Sequence, residues 1–144
     1  MIRDRDTLKH CIAPALATLV LITGPGTALA QTNPLDGKVY LGEAGEKGKP
    51  ADEKDDVISF ANGQFHSSAC DKWGFGKGVY SATANGEAIA FEAETTSEKH
   101  GRLAWKGIAK GDTLEGTFIH YRKPSFFRPS PDPIEHWFKA TLKK

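Results

Sequence analysis

From residue 36 onward, apolar and polar residues alternate in short runs, and no stretch repeats with the spacing of an amphipathic helix. The clearest run is AIAFEAE at 88–94. Ile89, Phe91 and Ala93 share one face there and Glu92 and Glu94 the other, as in an antiparallel strand with one side on a core. Eight strands are predicted on this basis, near 37–41, 56–60, 64–68, 78–83, 87–95, 102–109, 113–122 and 134–142.

Three of the connections are tight. Asn62-Gly63 and Asn85-Gly86 each separate two β runs, and both residue types tolerate the positive φ of a type I′ hairpin. Lys110-Gly111-Asp112 supplies the third. The other four are longer, at 42–55, 69–77, 96–101 and 123–133. In an antiparallel meander, successive connections fall at opposite ends. The alternation therefore predicts an all-β, eight-stranded antiparallel up-and-down barrel with tight turns at one end and long loops at the other. Closure removes the exposed edges that an open meander would carry.

The segment 101–121, GRLAWKGIAKGDTLEGTFIHY, carries Trp105-x-Gly107 on one strand, a tight turn, and then Leu114-Glu115-Gly116 on the next. This resembles hairpins of the calycin-type barrels, which include lipocalins and avidins. The Gly-x-Trp of lipocalins has no counterpart near the first strand, where Lys38 and Val39 follow Gly37. The resemblance implies a calycin-like barrel whose long-loop end engages a ligand or a protein. Inhibition of exported proteases or lysozymes is the most concrete protein-partner version.

The first thirty residues read differently. Arg3, Arg5 and Lys9 precede an eleven-residue, largely apolar run, 12–22, and then Ala28-Leu29-Ala30, the order of parts in a secretory signal peptide. A membrane-crossing helix needs roughly 20 apolar residues, so cleavage after Ala30 is expected rather than a retained anchor, with a periplasmic or secreted location. Residues 31–144 form one expected domain of 114 residues with 16 Lys+Arg against 16 Asp+Glu. That balance argues against a nucleic-acid or an anionic-membrane surface, both of which need a basic excess gathered on one face.

Cys11 leaves with the signal, so Cys70 stands alone in an oxidising compartment. A buried thiol is the expectation, with pairing between chains or a nucleophile as alternatives. An enzyme or metal site would have to be built from Cys70 with His66 or His100, but the chain has no Cys-x-x-Cys, His-x-His or His-Glu-x-x-His pattern. His120 and His136 lie on late strands expected to pair, which suggests a cross-strand polar contact. Asp55-Asp56, Glu92/Glu94 and Asp112/Glu115 read as solvated charge, and the glycines of GFGKG do not open a helix as a phosphate loop does. No cofactor is called for.

The aromatic residues divide into two groups. Phe60, Phe91, Trp105, Phe118 and Phe138 are expected in the core. Trp73, Phe75, Phe126 and Phe127 fall in two long loops, where they either cap the barrel or form a recognition patch with His100. The expected function is a binding module that holds a small apolar ligand or another exported protein at this rim.

Overall fold

The computed structural model describes residues 33–144. The expected signal segment lies outside them. Eight strands follow in chain order: β1 Val39–Glu46, β2 Glu53–Ala61, β3 Gln64–Ser67, β4 Gly78–Asn85, β5 Ala88–Ser97, β6 Gly101–Lys110, β7 Thr113–Tyr121 and β8 Ile134–Leu142. Each pairs antiparallel with its neighbour, and β8 pairs back onto β1, which closes the barrel. A 3-10 helix, η1 Ser68–Trp73, follows β3. β1 and β2 run further than the sequence pattern suggests, so the expected loop 42–55 shortens to 47–52. A register shift between Gly42 and Ala44 lets the charged end of β2 stay paired.

The hairpin expected at Asn85-Gly86 takes a different register, and the turn expected over 110–112 tightens to two residues. Asn62 and Gly63 both have positive φ, as a type I′ turn requires. In the other two the central pairs are Gly86-Glu87 and Gly111-Asp112, and positive φ occurs at the glycine alone, as a type II′ turn asks. Asn85 is therefore the last paired residue of β4, opposite Ala88.

The interior is aromatic. Phe60, Phe91, Trp105, Phe118 and Phe138 are all buried, joined by Tyr40, Phe65 and Tyr80. Phe60 meets Tyr80 edge-on at 4.9 Å and Phe91 at 5.1 Å, and Phe65 lies 4.8 Å from Trp105. Gly107 and Gly116 face each other across β6 and β7: a Cβ on Gly107 would come within 2.5 Å of Phe91 Cε1, and one on Gly116 would run into the β6 backbone at Lys106 and Gly107. The hairpin end is closed by the turn at 34–37, which inserts the fully buried Leu35. Asp36 holds that turn in place, accepting hydrogen bonds from Tyr80 Oη at 2.7 Å and from the Gly63 amide. The packed rings therefore fill the barrel from this end.

Candidate functional site

At the opposite end, where the connections 47–52, 68–77, 98–100 and 122–133 leave the strands, the packing stops short and a cavity of about 300 Å³ remains. Its floor is Trp105, Phe118 and Leu103, which are also the top of the core. Phe75 and Trp73 wall one side, and His100, His120 and His136 stand around the rim.

Local chemistry explains how the wall is built. Asp56, expected at a solvated loop edge, is instead 2% exposed, because it shares the inward face of β2 with Ile58 and Phe60. A buried carboxylate must be hydrogen-bonded, and this one accepts from Ser67 Oγ at 2.7 Å, the Ala69 amide at 3.0 Å and Ser68 Oγ at 3.3 Å. Those bonds turn the chain out of β3 into η1 across the barrel end. Gly74 ends η1 in the left-handed conformation (φ 80°), and Phe75 follows it into the interior, 3% exposed. Ser97 ties this wall to the next connection, donating from Oγ to the Trp73 carbonyl at 2.8 Å and accepting from the His100 amide.

The imidazoles are held in different ways. His120 Nε2 donates to the His100 carbonyl at 2.7 Å, and its ring meets Phe75 edge-on at 5.7 Å. His100 packs against Trp73 at 5.4 Å. His136 stacks flat on Phe118 at 4.6 Å, its partner in the β7–β8 register, so this cross-strand contact is ring on ring rather than a bond to His120. Burial lowers the His136 pKa, with His120 adding to the effect and the Ile134 backbone, Asp52 and Glu46 offsetting it in part.

Of the sequence-predicted rim residues, Trp73, Phe75 and His100 come together at the cavity, with Phe75 buried as a cap. Phe126 and Phe127 do not join them: they stand 93% and 92% exposed at the tip of the β7–β8 loop and cap nothing. Cys70 lines the cavity beside Ser67, whose Oγ lies 3.4 Å from its sulfur. Burial pushes the Cys70 pKa up to about 11, with Asp56, Asp71 and Glu53 adding to the effect and the Ser67 contact opposing it. His66 points elsewhere, paired through Nε2 with Asp71 at 2.7 Å. Among the described residues, no cluster of three His, Cys, Asp or Glu is placed to hold a metal ion.

Sequence reasoning missed Asp56, His120 and His136 as cavity residues. The in-phase spacing Asp56, Ile58, Phe60 was the available signal for the first. Its charge masked that signal. Asp52 and Glu53 also border the space, whereas no lysine or arginine does, and Glu53 is paired with Lys72. No protein family, curated protein or solved structure matches this chain, which leaves the geometry of the barrel and its cavity as the ground for a functional reading.

Proposed function

We propose that this chain is an exported, calycin-like binding module that takes a small, largely apolar molecule into the cavity at the end of the barrel. The single observation that carries the reading is the break in packing. A barrel whose other end is plugged by Leu35 and filled by stacked rings leaves about 300 Å³ open at this one, the lower end of the size range of small-molecule sites. The walls supply apolar rings with a few polar groups to orient a guest, the usual composition of such a site. Asp52 and Asp56 border the cavity outside any ion pair among the described residues, and with no bordering lysine or arginine they favour a neutral or cationic guest over an anion. A chemical role for Cys70 has less support, because a thiol with its pKa pushed up to about 11 is protonated at neutral pH and a weak nucleophile.

The test is titration of the full chain with the neutral fluorophore N-phenyl-1-naphthylamine. Saturable enhancement at a single site is expected, and the Ala69→Leu variant, which puts a larger side chain into the cavity wall, should weaken it at least tenfold while keeping the circular dichroism of the parent. Enhancement that does not saturate, or that is the same in the folded variant, would refute the reading.

A further inference from the structure

The β7–β8 loop carries a feature that neither the cavity nor the core uses. Ser125 and Arg128 exchange backbone hydrogen bonds at 2.9 and 3.1 Å, so Phe126 and Phe127 are the two central residues of a tight turn. That is a position where chains ordinarily place polar residues or glycine. The two rings touch only edge to face at 5.3 Å, and both are more than nine-tenths exposed. Other exposed apolar side chains, such as Val79 and Ile108, sit singly on the barrel wall. The turn is presented stiffly: prolines stand at 124, 129, 131 and 133, and Arg122 donates to the Asp132 carbonyl at 2.9 Å across the base of the loop. Lys123 and Arg128 flank the rings, both exposed and neither in an ion pair among the described residues, and Asp132 is the only acid in 122–133.

We propose that this turn is a membrane-docking wedge for an anionic phospholipid surface, with both phenyl rings entering the headgroup boundary and Lys123 and Arg128 meeting lipid phosphates. Two aromatic rings ringed by basic side chains are the combination that holds a peripheral protein to such a surface. A protein partner is the weaker fit. Two rings of about 150–250 Å² each fall well short of the roughly 800 Å² per partner of a stable interface. The neutrality of residues 31–144 as a whole does not oppose the docking, because the relevant charge is gathered on this loop and acts only within about 10 Å.

Flotation of the full chain with vesicles of phosphatidylglycerol and phosphatidylethanolamine, against vesicles of phosphatidylcholine alone, tests it. Comparing variants within the full chain cancels any contribution of residues 12–22. The Phe126→Ser/Phe127→Ser variant should lose roughly a hundredfold in partition to anionic vesicles. Lys123→Glu/Arg128→Glu should lose about tenfold or more there and little on phosphatidylcholine. A fluorophore on Phe127→Cys, in a Cys11→Ser/Cys70→Ala background, should shift to the blue only with anionic vesicles. Wild-type protein that stays unbound, or serine variants that float as wild type does, would overturn the proposal, and the first outcome would turn attention to a protein partner.

Discussion

Trp105→Ala puts the central packing claim at risk. The indole is 1% exposed, stacked on Phe118 at 4.1 Å and flanked by Phe65 at 4.8 Å and Phe138 at 5.5 Å. Removing a ring that buries about 150–250 Å² forfeits on the order of 4–6 kcal/mol at 25 cal/mol per Å², and large-to-small changes of this kind cost about 3–5 kcal/mol. Relaxation should recover little, because the flanking rings are braced by other side chains and the new void opens into the existing cavity. The change also removes the Nε1–H bond to Thr95 Oγ1 at 3.3 Å and leaves that buried hydroxyl without its donor. With roughly 2.1 cal/mol/K per residue, the 114 residues of 31–144 have an unfolding entropy near 0.24 kcal/mol/K, so Tm should fall by about 12–20 °C. Thermal unfolding followed by far-ultraviolet circular dichroism reads this directly. Trp105→Phe should lose only about a third as much. A drop below about 5 °C for the alanine variant would mean that the ring is not part of the barrel core.

The Cys70 thiol should react with a disulfide reagent far more slowly in the native chain than in urea. Between pH 9.0 and about 11 the native state keeps a proton that the unfolded chain has lost, so unfolding free energy should fall as pH rises through that window, a slope that Cys70→Ala should reduce. The raised pKa values of Tyr40 and Tyr80, both due first to burial, act in the same direction at higher pH. An unchanged slope in the alanine variant would show that the partly buried thiol is not desolvated as described. His136 acts at the acid end with the opposite sign. Its lowered pKa means that the unfolded chain binds the extra proton first, so stability present above pH 6.5 should be lost as pH falls below it, and His136→Gln should flatten the urea midpoint there. A midpoint as acid-sensitive as wild type would assign the loss to other groups.

Much of this architecture is legible along the chain because strand periodicity and turn chemistry are local. The alternation at 88–94 places Phe91 and Ala93 inward and Glu92 and Glu94 outward, and so they stand. Turn register was less legible. Asn85-Gly86 satisfies the composition of a type I′ pair, yet pairing of Asn85 with Ala88 moves the turn forward by one residue. The choice between two turns that each need one glycine is made by strand pairing, not by the dipeptide.

The candidate site separates into parts that composition reveals and parts that only closure creates. Loop aromatics at 73, 75, 126 and 127 are visible as a class, but nothing local distinguishes Phe75, which Gly74 and the η1 turn send inward, from Phe127, which its own tight turn sends out. His136 and Phe118 are eighteen residues apart and meet because β7 and β8 pair in that register. By itself the sequence determined the number and order of the strands, the two faces of β5 and an eight-membered meander, since all of these follow from period-two patterning and short turns. The cavity, the burial of Asp56 and the stacking of His136 were decided by the tertiary structure, because they depend on which side chains a closed barrel brings together and where its rings run out of volume to fill.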